Sequence, residues 1–256
     1  MVIAVLNSKG GVGKTTTAVN VAAALASPKR RVLLVDLDSQ ASASLWLGVA
    51  RRNLNPSSAS CLLEKYPILK AVRHTATPNL DLLPGSVDLA NADVVLCTVR
   101  GREAVLERAL AQLHGLYDLV VLDCPPNLSL LVINALVAAD GLVIPVVPEP
   151  LVVDTLDLLF GAIERVRARM RARTRVLGVL LGPIDPHHKH GREVAERVRA
   201  EYRDKVFHTE IRWSSSLSEA AGARKTVFEF APKSPSADAF RRLAGEILQR
   251  LAPPRN

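Results

Sequence analysis

The sequence predicts an α/β domain, a mostly parallel, twisted sheet sandwiched between helices. Three observations carry that prediction. Short aliphatic runs occur without polar alternation, the pattern of strands buried on both faces. Segments of helical period separate those runs, the order of successive βαβ units. Of the 256 residues, 48% are apolar but only 4% aromatic, so a full core is available and Val, Leu, Ile and Ala must build it. No linker and no internal repeat divides the sequence. A single domain over residues 1–256 is expected, with a basic helical edge over about 183–256.

VIAVL (2–6) is the first buried strand and runs into a Gly-rich loop at 9–13. TTTAVNVAAALA (15–26) follows as an Ala-rich helix. RVLLVD (31–36) and LDLLP (80–84) are further strands, and the polar stretch RRNLNPSSAS (51–60) between them reads as a surface loop. Ala104, Val105, Leu106, Ala109, Leu110 and Leu113 recur near helical spacing and predict a helix over about 102–114. LVVLD (119–123) is a fourth strand, with a helix after it at about 128–139. LVIPVV (142–147) and RVLGVLL (175–181) are strands separated by a helix at about 152–172. Helices at about 190–203, 216–222 and 236–251 close the chain.

The chemistry concentrates in SKGGVGKTTTAVN, residues 8–20. A Gly-rich turn between a buried strand and a helix is the setting of a phosphate-binding P-loop, and it makes the predicted fold that of a P-loop NTPase. Gly10, Gly11 and Gly13 let the backbone turn tightly and, with Val12, present N–H groups to phosphate oxygens. The helix N-terminus, with Thr16 in its first turn, points at the same place. Lys14 is placed to bridge β- and γ-phosphates, and Thr15 to give a hydroxyl to Mg²⁺. Ser8 stands where G-x-x-x-x-G-K-[ST] has its first Gly, and an additional lysine, Lys9, follows it.

In that departure the loop resembles the deviant Walker A motif of the ParA/MinD family of ATPases, and the resemblance runs from Val2 to about Arg250. It implies ATP and Mg²⁺ as ligands, and a Lys9 that reaches across a dimer interface to the partner's nucleotide. VLLVDLDSQASAS (32–44) resembles the family's second motif. The resemblance places Asp36 near the metal and has Asp38 orient or deprotonate the attacking water. Ser39 and Ala41 replace the family's usual Pro and Gly. LVVLDCPPNLSLL (119–131) is similar to a Walker B strand whose four apolar residues lift Asp123 to the C-terminal sheet edge, where it can hold Mg²⁺. Residues 124–130 would then be a nucleotide-sensing switch, with Cys124 in a packing role. IPVVPEPLVVDTL (144–156) resembles the family's P-x-x-P-E stretch and places Glu149 at the dimer interface. By the same resemblance, Gly182–Pro183 and Ile211–Trp213 flank the adenine, with Arg212 where the family usually has Pro.

Charge separates the two ends. Residues 1–160 carry 13 Lys+Arg against 14 Asp+Glu, and residues 161–256 carry 20 against 11. A basic end on a neutral body suits a polyanionic partner. In the ParA branch that partner is DNA, bound by the ATP dimer without sequence preference. The candidate phosphate contacts are Lys189, Arg192, Arg224, Lys225, Arg241 and Arg242. The alternating arginines 165 to 175 split into two arcs on a helix and read as a solvated helix end. His187, His188 and His190 lie in a loop without acidic or Cys partners and read as a DNA-facing or merely exposed loop rather than a metal site.

No run approaches the ~18 clean apolar residues of a membrane span, and the N-terminus has no signal-peptide pattern. Cys61, Cys97 and Cys124 form neither a disulfide framework nor a zinc pattern, so a reducing cytoplasm is expected, with nucleoid association following from DNA binding. The first strand starts at Val2, so no N-terminal DNA-reading extension is expected. The resemblance as a whole implies a ParA-type partition ATPase: an ATP-dependent homodimer whose slow hydrolysis a ParB-type centromere-binding partner accelerates. The rival is a MinD-like membrane ATPase, since DAFRRLAGEILQRL ends the chain amphipathically. Its stripe of Phe240, Leu243, Ile247 and Leu251 is narrow and is expected to pack inward, so a membrane partner is disfavoured. An iron–sulfur reductase would need cysteines in Gly-rich loops, which neither Cys97 nor Cys124 occupies.

Overall fold

The computed structural model describes residues 1–184 and 189–252. Seven strands form one sheet among the described residues: β1 (Val2–Val5), β2 (Val32–Asp36), β3 (Arg73–His74), β4 (Leu80–Leu83), β5 (Leu119–Asp123), β6 (Gly141–Val146) and β7 (Arg175–Leu181). Their order is β3-β4-β2-β5-β1-β6-β7, parallel throughout except for the β3–β4 pair. β1 therefore lies between β5 and β6, with Val5 level with both Asp123 and Val143. Asp36 is level with Asp123 across the β2–β5 pair.

Alternate residues of the inner strands β1, β2 and β5 feed two separate cores, which is why these runs show no polar alternation. Ala4, Leu33, Val35, Val120 and Leu122 point into one core, and Ile3, Val5, Val32, Leu34, Leu119 and Val121 into the other. The second core is roofed by α1 (Lys14–Leu25) and α2 (Ser42–Trp46). The first is roofed by α3 (Ser58–Leu63), α4 (Ile68–Ala71), α5 (Ala92–Leu96), α6 (Val105–Ala111), α7 (Leu130–Ala138), α8 (Val152–Met170) and α9 (Lys189–Tyr202). Helices α10 (Ser215–Gly222), α11 (Val227–Phe230) and α12 (Pro235–Leu251) complete the roof over the second core.

Phe240, Leu243, Ile247 and Leu251 of α12 are all buried there, each such side chain stabilising the fold by about 1.5–3 kcal/mol relative to exposure. The amphipathic stripe is thus core packing. Asn20 ties the same layer together, its side-chain oxygen accepting the Val227 N–H at 2.9 Å.

Three expectations change. Residues 51–60 are only partly a surface loop: Ser57, Ser58 and Ala59 are buried and open α3. Their hydroxyls find partners inside, Ser57 Oγ to Ser86 Oγ at 3.0 Å and Ser58 Oγ to the Asp36 carbonyl at 2.7 Å, so polarity did not force them outward. The arginine run does not lie on one helix. α8 ends at Met170, Arg171 turns left-handed (φ 53°), and Arg175 is already in β7. His190 has an acidic neighbour after all, Glu193 one helical turn on, at 3.9 Å; His187 and His188 lie outside the described residues.

Candidate functional site

The loop after β1 opens in the middle of the sheet, at the C-terminal edge where parallel α/β sheets bind ligands. Asn7 anchors its entry. The amide group donates to the Pro145 carbonyl (2.7 Å) and the side-chain oxygen accepts the Lys9 N–H (3.0 Å). Gly11 (φ 74°) and Gly13 (φ 84°) are left-handed with open space around them, so glycine is required there for conformation rather than room. Gly13 leads straight into α1 and its carbonyl accepts the Thr17 N–H (2.9 Å). The N–H groups of the first turn, Thr15 and Thr16 included, are left for a ligand.

Lys14 folds back over the loop and donates to the Lys9 carbonyl at 2.7 Å. Burial lowers its pKa, and the nearby Asp123 and Asp38 carboxylates oppose that shift. Lys9 points the other way and forms an ion pair with Glu149; both side chains are about half exposed, 53% and 49%. Pro183 and Ile211 face a cavity of about 190 Å³ that reaches the loop at Gly11–Gly13 and is also lined by Trp213. Gly182 sits against the Ile211 carbonyl, where a Cβ would come within 2.4 Å. The larger cleft, about 850 Å³, lies beyond Trp213 between residues 208–214 and α12, away from the loop.

Two carboxylates, Asp123 and Asp38, lie near Lys14, Asp36 adjoins Asp123, and the three differ in how they are engaged. Asp38 caps its own turn, accepting the Gln40 N–H at 2.9 Å. Asp36 is fully buried and accepts three bonds, from the Asp38 N–H (3.1 Å), the Ser44 N–H (2.9 Å) and the Ser44 hydroxyl (2.7 Å). Burial pushes its carboxyl up to about 6. Asp123 is equally buried, yet among the described residues neither oxygen has a donor in hydrogen-bonding geometry, and the Thr15 hydroxyl is only close by. Burial and the adjacent Asp36 raise its pKa well above the carboxylate range, with Thr15 and Lys14 pulling the other way. An orphaned carboxylate beside a threonine hydroxyl fits a hard divalent cation that takes its remaining oxygens from phosphate and water. Asp123 and Thr15 would hold Mg²⁺, and it would neutralise charge on the phosphates. Cys124 is buried and its thiol pKa is pushed up by burial, so it packs rather than reacts.

An unpartnered buried carboxylate destabilises the empty fold. Its cost is absent below the unfolded-state pKa, near 4, and grows as pH rises toward the raised folded-state value. Asp123→Asn is expected to raise the Tm of the nucleotide-free protein at pH 7 by about 2–4 °C per kcal/mol relieved, and to abolish Mg²⁺-dependent turnover. Calorimetry at pH 7 and pH 4.5 checks this; an advantage that persists unchanged at the lower pH would contradict it.

The basic candidates are dispersed. Arg192, Arg224, Lys225 and Arg242 are exposed, Arg242 on the wall of the larger cleft. Arg241 is committed elsewhere, to Asp238 (2.6 Å), the Pro232 carbonyl (2.9 Å) and the Phe228 ring. Lys189 opens α9, but its side chain is not among those described. The sequence reading missed Asn7, Ser44 and Gly85. Asn7 lies one residue before the motif, and Ser44 ends the quoted VDLDSQASAS stretch.

A family model described as an AAA domain matches residues 1–176. The sporulation initiation inhibitor protein Soj of Bacillus subtilis is 38% identical over 246 residues, covering 96% of this chain and 97% of that protein. The chromosome-partitioning ATPase Soj of Thermus thermophilus is 43% identical over 250 residues, covering 97% and 96%. Among solved structures, a Mycobacterium smegmatis protein described as cobyrinic acid a,c-diamide synthase, with bound ATP analogue and magnesium, superposes with a TM-score of 0.87. It is 35% identical and covers 99% of this chain and 96% of its own.

Proposed function

The chain belongs to the ParA/MinD family of P-loop ATPases, and from that premise we propose a partition ATPase that dimerises on ATP, binds DNA without sequence preference and is released by hydrolysis. It is an ATPase that uses ATP with Mg²⁺. The observation that carries the reading is the pair of lysines on one loop with opposite orientations. Lys14 is turned inward over its own loop, and Lys9 is turned outward to Glu149, half in water. Lys14, with the loop N–H groups, serves the nucleotide of its own subunit. Lys9 is free to exchange Glu149 for the nucleotide of a second copy. Asp38 stands beside Lys14 to orient the attacking water or take its proton. Positioning and charge neutralisation supply most of such catalysis, so a site completed only in the dimer turns over slowly when alone.

The exposed Arg192, Arg224, Lys225 and Arg242 support a DNA-phosphate surface, and a centromere-binding partner of the ParB type would trigger hydrolysis. The burial of the α12 stripe argues against a membrane anchor, and no described helix is long and apolar enough to cross a bilayer. A cytoplasmic, nucleoid-associated protein follows from this reading. A gel shift on random duplex DNA tests it. The wild type should bind with ATP but not ADP, and lose affinity steeply with salt, whereas Lys9→Ala should neither dimerise nor shift DNA. ATP-dependent binding to anionic liposomes without a DNA shift would overturn the assignment in favour of the membrane branch.

A further inference from the structure

We propose that Ser44 is a positioning residue for hydrolysis, holding Asp38 through Asp36 and Gly85; the inference rests on the reading of Asp38 given above. β2 delivers Asp36 to the sheet edge, and the chain then turns through Asp38 and a left-handed Ala41 into α2. The Ser44 hydroxyl, fully buried, sits between two fixed groups. It donates to Asp36 Oδ2 at 2.7 Å and accepts the Gly85 N–H at 2.9 Å. Asp36 passes the constraint on, because its Oδ1 accepts the Asp38 N–H at 3.1 Å.

Gly85 closes the clamp from behind. A Cβ there would lie 2.8 Å from the Asp38 carbonyl oxygen and 2.9 Å from the Asp36 carboxylate. The Asp38 carbonyl is further held by the Ala41 N–H at 2.9 Å. Thus both backbone groups of Asp38 are fixed, while its side chain remains beside Lys14. The clamp joins elements far apart in sequence, since β2 and β4 are neighbours in the sheet and the chain leaves β4 through Pro84 to Gly85. Asp36, with three donors on its carboxylate, is the relay of this clamp, and Asp123 is the carboxylate left for the cation.

Among the described residues no hydrogen bond joins Ser44, Asp36 or Gly85 to the P-loop, so the clamp is expected to set the geometry of water attack rather than nucleotide affinity. Displacements of about 1 Å in a reacting geometry reduce rates on the order of a hundredfold. Ser44→Ala is therefore expected to lower kcat by about ten- to a hundredfold, with KM and the ATP dissociation constant within about twofold of wild type. The paired variants Ser44→Thr and Ser44→Val share one shape, so their difference reports the hydroxyl alone. Thr should retain turnover that Val loses.

In the double variant Ser44→Ala/Asp38→Ala, the loss should equal that of Asp38→Ala alone, because the serine acts through the aspartate. Single-turnover hydrolysis and fluorescent-nucleotide binding measure all of these. The proposal is overturned if Ser44→Ala leaves kcat unchanged, if Thr and Val behave alike, or if the two losses multiply. Should Asp38→Ala itself hydrolyse ATP normally, the assignment of Asp38 fails instead, a result separable from failure of the clamp.

Discussion

Lys14→Ala is expected to abolish the ATP-specific dimer and to weaken nucleotide binding by roughly thirty- to several-thousandfold. Burial sets the size of this effect. Lys14 is 8% exposed, and its ammonium already occupies a hydrogen bond to the Lys9 carbonyl within the loop. Triphosphate would replace that neutral acceptor with charged ones in a partly desolvated site, and removing one partner of such a contact costs about 2–5 kcal/mol. Asp123 and Asp38 make matters worse in the variant, since both act on Lys14 and lose its compensating charge. Size exclusion with ATP, ADP and no nucleotide checks the outcome. An ATP dimer that survives the substitution would remove Lys14 from the assembly.

Asp38→Ala should give the opposite phenotype, a dimer that forms and persists. Among the described residues the Asp38 side chain makes its hydrogen bond to Gln40 and none to the P-loop, so ATP binding should remain. Its carboxylate is the candidate group for water attack, and loss of general-base assistance typically reduces rates by about 10²–10⁴-fold. The variant should therefore remain dimeric and DNA-bound for as long as ATP lasts, with phosphate release close to background. Stopped-flow phosphate detection beside analytical ultracentrifugation separates binding from turnover. If the variant loses ATP affinity, Asp38 supports the pocket rather than the reaction.

The contiguous parts of the site were legible in the sequence, because a strand, a loop and a helix in succession need no tertiary knowledge to place Lys9, Lys14 and Thr15 together. The strand-end carboxylates Asp36 and Asp123 were legible for a related reason: each ends an uninterrupted apolar run. The division of labour between them was not. Whether a buried carboxylate is satisfied depends on donors from elsewhere, here Ser44 beyond the turn and, behind it, Gly85 at the exit of β4. The burial of Ser57 and Ser58 is not legible in sequence, because a hydroxyl-rich stretch looks soluble until its internal partners are known. β3, two residues long, offers no periodicity to read. The fate of the terminal amphipathic helix was readable, since a narrow apolar stripe on a chain with an aliphatic core is more easily buried than displayed.

The contact between Lys9 and Glu149 bears on timing. Ion pairs this open to solvent contribute at most about 1 kcal/mol, so letting go of Glu149 presents almost no barrier. If Lys9 serves a partner's nucleotide as proposed, two loaded subunits that collide would exchange salt partners at little cost. On that reading, collision frequency would govern how quickly a pair appears, and hydrolysis at the terminal phosphate how long it lasts. A molecule built this way would restart at each encounter and time an interval from it.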